Sequence, residues 1–307
     1  MTTSGTRIAV HSSVEPVFDP QYLVDALAER GVESQTTDDP AGFDGVVAFD
    51  HDESFLDAPW VHAITAGYDD YPVESYREYG VTFTNSTGIH GESVGETVCG
   101  MCLAFARRLH RYRDRQRGSE WDREPYEAAF TLGGERACVV GLGTLGRGVA
   151  TRLDALGMDV VGVRRTPTPV PGVREVYTPD ELHEAVSDAR FVVLTVPLTA
   201  ETRGMVGEAE LDAMPADSYL VNVARGEVVE QSALVAALES GSIAGAGLDA
   251  LDPEPLPEDS PLWGMDEVLL TPHVAAMTND YHEAVADLVA TNADRLAGGE
   301  GPVNRVV

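Results

Sequence analysis

The 307-residue sequence contains no lysine. All 21 of its basic residues are arginine, set against 51 Asp and Glu, which leaves a formal net charge of -30 at pH 7. An excess of one sign on this scale argues against polyanionic partners, so neither nucleic acid nor an anionic membrane is expected to bind. The surface also repels itself unless counter-ions screen it, and the Debye length shrinks to about 3 Å at 1 M salt. Acidic throughout and free of lysine, the sequence reads as built for molar salt. Cysteine is scarce too. Cys99, Cys102 and Cys138 cannot make a disulfide framework, and the C-x-x-C at 99–102 lacks the second pair that a zinc site needs. Spaced i, i+3 in an apolar helix, those two cysteines read as core, and no metal is expected. Long apolar runs are missing as well. The most apolar helix candidate, from Val98 to Ala106, is far shorter than the roughly 20 residues of a membrane span. The start, "MTTSGTRIAVHSS", has neither the basic nor the apolar region of a signal peptide. A cytoplasmic protein is expected.

Short apolar strands alternate with helical patterns along the whole chain, and the length suits about two domains. "RIAVHS" (7–12), "GVVAFD" (45–50), "VHAIT" (61–65) and "VTFTN" (81–85) read as strands, with a helix over 20–31 ended by Gly31. A long helix is predicted over 92–111, and the polar stretch 111–130 as a connection over the surface. A second series follows: "RACVV" (136–140), "FVVLTVP" (191–197), "YLVNVA" (219–224), "AGAGLDA" (244–250) and "VLLTP" (268–272), then a final helix over 279–296.

Within the second series, "VVGLGTLGRGVA" sets Gly141, Gly143 and Gly146 as G-x-G-x-x-G between a strand and a helix, with Thr144 and Leu145 in the turn. The first glycine allows a tight turn and the second lets a pyrophosphate approach the backbone. The third lets helix and strand pack closely, with the anion at the helix N-terminus. The strand before, the helix after and the next strand have the order a dinucleotide site requires. In such units an acid ends the second strand and accepts from the adenine ribose 2′-OH of NAD. Here Arg164 holds that place, followed by Arg165 and Thr166. An arginine leaves a 2′-OH without its acceptor but suits a 2′-phosphate through forked, charge-assisted hydrogen bonds. The expected cofactor is NADP, with NAD the weaker alternative.

Three further stretches end strands at the edge where open α/β sheets bind ligands. "LVNVARGE" carries Arg225, "GLDALDPEPLP" carries Glu254 between prolines, and "VLLTPHVAAMT" carries His273. An imidazolium held by a carboxylate supplies a proton to a developing alkoxide near neutral pH, and a guanidinium offsets growing negative charge. In this order, together with "AGYDDY" (66–71), "VGE" (94–96) and "VPLTAETRGMV" (196–206), the stretches resemble the D-isomer-specific 2-hydroxyacid dehydrogenase family over nearly the whole chain.

The resemblance implies hydride transfer between a nicotinamide and C2 of a small 2-keto or 2-hydroxy acid. Arg225 would bind the substrate carboxylate and carbonyl, and His273 would be the general acid and base with Glu254 orienting it. The backbone N–H groups of Ala66 and Gly67 would hold the substrate carboxylate. Asp249 would contact the nicotinamide carboxamide, and Pro197 and Thr202 would line the cofactor cleft. The architecture implied is two doubly wound α/β domains, Rossmann- and flavodoxin-like, with parallel sheets and the active site in a cleft between them. The substrate domain would comprise 1–92 and 283–307, the dinucleotide domain 93–282, and the helix at 92–111 would help form a homodimer. "HVAAMT" departs from many relatives, which have a glycine there. Glu254 argues against a formate dehydrogenase, which would pair its histidine with Gln. A 3-phosphoglycerate dehydrogenase or a dinucleotide-sensing corepressor remains as an alternative.

Removing salt unscreens the surface charge and is expected to lower both the thermal midpoint and the activity. A midpoint unchanged between about 0.1 M and about 2 M salt, as the Debye length falls from about 10 Å to under about 3 Å, rules the molar-salt reading out.

Overall fold

The computed structural model describes residues 5–307. The chain begins with β1 (Arg7–Val10) and α1 (Pro20–Glu29). Asp19 caps α1 by accepting from the Gln21 N–H, and Pro20 fits its first turn because no N–H is needed there. Leu23, Ala26 and Leu27 form its buried face, and Gly31, at φ +77°, ends it. There follow β2 (Glu33–Thr36), β3 (Gly45–Ala48), β4 (Trp60–Ala63), α2 (Val73–Tyr79) and β5 (Thr82–Asn85). The five strands are parallel in the order β2-β1-β3-β4-β5. Strand alternation sends Ile8, Val10 and Val47 to one face, and Ala9, Val46, Ala48 and Val61 to the other.

The second series runs α3 (Gly91–Ala106), α4 (Leu109–Arg117), β6 (Arg136–Val140), α5 (Thr144–Ala155), β7 (Asp159–Val163) and β8 (Glu175–Tyr177). It continues with α6 (Leu182–Val186), β9 (Phe191–Leu194), α7 (Glu208–Ala213), β10 (Tyr219–Asn222), α8 (Gln231–Ser240), β11 (Gly245–Leu248) and β12 (Val268–Leu270). Its seven parallel strands lie in the order β12-β11-β10-β9-β6-β7-β8. Counted from β6, this is the doubly wound dinucleotide order with one strand added, and its switch point falls between β6 and β9. The chain ends with α9 (Tyr281–Ala297), whose Val285, Ala286 and Val289 pack in the core of the first sheet beside Leu23 and Leu27 of α1.

Two compact units result. One comprises the chain up to Ile89 together with Met277–Val307, and the other is His90–Ala276. Both exchanges come a few residues earlier than the expected 92/93 and 282/283. Gly91 already lies against α5, where a Cβ would stand 3.0 Å from the Thr144 carbonyl. At the other exchange, Tyr281 is buried in the first core and donates its hydroxyl to the Ile64 carbonyl. Two further expectations are corrected. The helix predicted over 92–111 breaks at Arg108, whose φ is +57°, and part of the predicted surface connection is helical, as α4. The edge strands β2 and β8 were not expected, because "ESQT" and "EVY" lack a buried apolar row. No helix among the described residues is long and apolar enough to cross a membrane.

Helices α3 and α5 cross at glycine contacts. A Cβ on Gly148 would stand 2.0 Å from the Gly91 carbonyl oxygen, and one on Gly95 would stand 2.9 Å from the Gly148 oxygen. Because backbone is the obstacle, the helices would have to separate. Gly148→Ala is expected to cost about 1–3 kcal/mol as an overpacked site. Gly100→Ala on the same α3, with nothing within 4 Å of its Cβ position, should instead stabilise by about 0.5–1 kcal/mol through helix propensity. Denaturant unfolding of both variants checks the opposite signs.

Candidate active site

The turn from β6 to α5 is fixed by glycine geometry. Gly141 has φ +98°, and a Cβ on Gly146 would stand 1.8 Å from the Gly141 carbonyl oxygen. The Thr195 hydroxyl, just past β9, donates to that same oxygen at 2.6 Å, so the switch point is tied to the turn. Gly143 behaves differently: nothing lies within 4 Å of its Cβ position, and α5 starts without a side-chain cap. An open glycine at the N-terminus of a 12-residue helix leaves room and N–H donors for a pyrophosphate, so the residues fit a dinucleotide. Thr144 and Leu145, partly buried, open the helix.

At the end of β7, Arg164 donates its backbone N–H to the Tyr177 carbonyl of β8 at 3.0 Å. Its side chain is partly exposed, while those of Arg165 and Thr166 are exposed. Neither arginine forms an ion pair among the described residues, although most other arginines do. Beyond β9, the Thr202 hydroxyl donates to the Pro197 carbonyl (2.6 Å) and accepts from the Thr199 N–H (2.8 Å). The 197–202 loop is therefore closed on itself.

Arg225, Glu254 and His273 come from the ends of three adjacent strands, β10, β11 and β12. His273 Nδ1 lies 2.9 Å from Glu254 Oε2, and Glu254 Oε1 accepts the Leu251 N–H at 2.8 Å. With a carboxylate accepting at Nδ1, that nitrogen carries a proton and Nε2 is left for proton exchange. The Glu254 hydrogen bond holds the imidazole pKa above its ordinary 6.5, outweighing the lowering by burial and by the nearby Arg225 charge. Burial pushes Glu254 up, but hydrogen bonds from His273 and Leu251 and the charge of Arg225 bring it below 4.5. Arg225 is thus close enough to act on both members of the pair. It follows β10 and donates from Nη1 to the Ala224 carbonyl at 2.8 Å. His273 itself has φ +54°, unusual for a residue with a Cβ.

Asp249 is 3% exposed, and its carboxylate faces protein donors: Thr271 Oγ1 at 2.6 Å, the Val274 N–H at 2.9 Å and the Ala275 N–H at 3.0 Å. Sequence reasoning missed Asn222, which is 1% exposed at the end of β10. Its side chain donates to the Arg225 carbonyl (2.9 Å) and the Ala250 carbonyl (3.3 Å) and accepts from the Ala224 N–H (3.0 Å). The only signal was an amide in an otherwise apolar strand. Ala66 and Gly67 belong to the first unit, in the loop after β4. Their carbonyls are tied back there by Asn85 Nδ2 (2.7 Å) and Thr65 Oγ1 (2.6 Å).

The strand order and the glycine turn at its switch point define a dinucleotide-binding fold with a His–Glu pair on the same sheet edge. Comparison with known proteins makes the family explicit. The model of the NAD binding domain of D-isomer specific 2-hydroxyacid dehydrogenases matches residues 99–275, and the chain belongs to that family. A glyoxylate reductase from Thermococcus gammatolerans is 35% identical over 94% of this chain and 83% of its own. A D-isomer specific 2-hydroxyacid dehydrogenase from Xanthobacter autotrophicus, solved with NADPH and MES, superposes with a TM-score of 0.83 at 30% identity, covering 99% of this chain and 98% of that one. An NADPH-dependent glyoxylate/hydroxypyruvate reductase from Sinorhizobium meliloti, solved with NADP and sulfate, gives 0.83 at 25% identity and 98% coverage of each chain. The protein is an oxidoreductase of the 2-hydroxyacid dehydrogenase type that uses NAD(P).

The pair also sets a pH window. The raised His273 contributes stability that is complete below its ordinary pKa and lost as pH rises through the folded value. The lowered Glu254 contributes above the ordinary carboxylate value and is lost as pH falls through its folded one. With side chains 45% and 38% exposed, the stabilisation itself is small. Glu254→Gln keeps the shape and removes the charge, so the His273 imidazole is expected to titrate at lower pH than in the wild type. NMR titration of the imidazole resonances checks this without any assay, and an unmoved titration contradicts the pairing.

Proposed function

We propose that the protein is an NADP(H)-dependent reductase of small 2-keto acids such as glyoxylate, with D-2-hydroxy acids as products. The observation that carries the reading is the His273–Glu254 pair beside Arg225, on the sheet edge that also bears the open glycine turn. When bound, the dinucleotide supplies hydride from its nicotinamide to C2 of the keto acid. The chain supplies the rest. Arg225 grips the substrate carboxylate and carbonyl through its planar fork. His273 Nε2 gives its proton to the carbonyl oxygen as charge develops there, and Glu254 stabilises the imidazolium until that moment. In oxidation the same nitrogen takes the proton back. Gly141, Gly143, Thr144, Leu145 and Gly146 hold the pyrophosphate, and the loop of Pro197 and Thr202 lines the cofactor site.

The preference for NADP rests on Arg164 and Arg165. In a chain with 51 acidic residues, two neighbouring arginines that form no ion pair among the described residues, Arg165 acting on Glu201 only through its charge, are groups held for an anion that arrives with a ligand. Thr166 adds a hydroxyl beside them. The homodimer reading is supported by Trp121 and Tyr126, which are 100% and 95% exposed in the single chain. Operation in molar salt is part of the proposal. There, long-range attraction between arginine and phosphate is screened, and contact geometry has to carry the selectivity.

For this reason Arg164→Lys is expected to lose much of the NADPH preference despite keeping the charge, because an ammonium cannot form the fork. Arg164→Asp goes further by repelling the 2′-phosphate and offering an acceptor to the NADH ribose. Arg164→Asp/Arg165→Ala completes the switch, since Arg165 can no longer occupy the new carboxylate. The measurement is kcat/KM for NADPH and NADH at about 2 M salt, where the Debye length is below about 3 Å, with glyoxylate and pyruvate as acceptors. A wild type that prefers NADH, or a ratio untouched by Arg164→Lys, overturns the assignment. Absence of turnover with any keto acid favours a dinucleotide-sensing protein.

A further inference from the structure

The reacting side chains hang from three separate loops, and two buried polar residues join those loops from beneath. Asn222 ends β10. Its Nδ2 donates one hydrogen to the Arg225 carbonyl in its own loop and the other to the Ala250 carbonyl in the loop after β11, while Oδ1 accepts from the Ala224 N–H. Its backbone carbonyl accepts from the Asp249 N–H at 2.9 Å. Asp249 then reaches the third loop. Its carboxylate takes Thr271 Oγ1, the Val274 N–H and the Ala275 N–H, and its backbone carbonyl takes the His273 N–H at 2.9 Å. The His273 N–H also reaches the Thr271 carbonyl at 3.0 Å. His273 is therefore gripped on both sides while its backbone holds a left-handed conformation that a residue with a Cβ does not favour.

The chemistry of both positions is restrictive. Residue 222 has to give two hydrogens and take one, which Asn does and neither Asp nor Leu can. Residue 249 has to accept from three donors, which suits a carboxylate; an amide would turn its NH2 toward an N–H. Both residues are nearly inaccessible, at 1% and 3% exposure, so they act through their neighbours.

We propose that Asn222 and Asp249 are positioning residues forming one brace that fixes the Arg225 guanidinium relative to the His273–Glu254 pair. This rests on the reading of Arg225 and His273 as the reacting side chains. It gives Asp249 to the protein loop in place of the nicotinamide carboxamide that the family resemblance implies.

The test uses the full-length protein with NADPH and glyoxylate, and the isosteric variants Asn222→Asp and Asp249→Asn. Each is expected to lose about 10–10²-fold in kcat/KM, the scale of a small displacement of reacting groups. Asn222→Asp should show chiefly as a raised KM for the keto acid and Asp249→Asn chiefly as a lowered kcat, with the NADPH Kd from cofactor fluorescence unchanged in both. The deciding measurement is a pair of double-mutant cycles. Added to Arg225→Ala, Asn222→Asp should cost little more, and likewise Asp249→Asn added to His273→Ala. Fully additive losses mean general structural damage and overturn the brace. A weakened NADPH Kd in Asp249→Asn returns that residue to the carboxamide and also overturns it. If Asn222→Asp does not fold, Asn222→Ser keeps a donor and an acceptor and runs the same cycle. Arg225→Ala and His273→Ala alone should each lose about 10²–10⁴-fold. Wild-type turnover in those two removes the underlying assignment, a result distinct from their inactivity combined with wild-type behaviour of Asn222→Asp and Asp249→Asn, which removes only the brace.

Discussion

The approach of backbone to backbone at Gly146 governs the second unit. A methyl group there would sit 1.8 Å from the Gly141 carbonyl oxygen, so this contact exists only for glycine. Because α5 comes so close to the end of β6, its N-terminus points out at the switch point, where Gly143 is open. Two residues further along α5, Gly148 meets Gly91 and brings α3 against α5. From α3, Met101 and Phe105 reach the sheet, with Phe105 stacked on Tyr219 at 4.7 Å between ring centroids. Close glycine contacts thus set the depth at which both helices ride over one sheet face, and the strand ends beyond them take their positions from it.

Electrostatics works at two ranges in this molecule. The long-range field is negative and unspecific, and it bears on solubility and salt. At short range, arginines are spent on particular carboxylates: Arg136 between Asp159 and Asp188, Arg174 on Asp159, Arg30 between Glu283 and Asp287. Most of these pairs are partly exposed, so each contributes little to stability. Their larger consequence is contrast: among the described residues most arginines are spent on ion pairs, whereas Arg164 and Arg165 form none and Arg165 acts on Glu201 only through its charge. The His273–Glu254 pair rests on the same short-range attraction, which raises the imidazole pKa against the lowering that burial exerts.

Buried parallel strands were legible in the sequence because both their faces are covered, which makes them continuous apolar runs. "RACVV", "FVVL" and "YLVN" all became strands of the seven-stranded sheet. The edge strands were not legible, since β2 is largely exposed and its polar "ESQT" carries no core signal. The polar composition of 111–130 likewise concealed α4, which buries only His110. In the site, Arg225, Glu254 and His273 stood out through the motifs around them. Asn222 did not, because a single amide in a strand becomes informative only once the carbonyls it serves are known.

The sequence by itself determined the class of fold, the glycine turn, the arginine in place of an acid after β7 and which residues, Arg225, Glu254 and His273, to look for together. Each depends on local chemistry: a glycine is needed where backbone must approach backbone, and a side chain carries its functional group wherever it lies. Only the tertiary structure decided strand order, the exchange between units at Ile89/His90 and Ala276/Met277, and the partners of buried polar atoms. Those are settled by contacts between residues distant in the chain. Asp249 shows the difference: its carboxylate was plain in the sequence, and its three donors, 22 to 26 residues onward, appear only when β11 and β12 lie side by side.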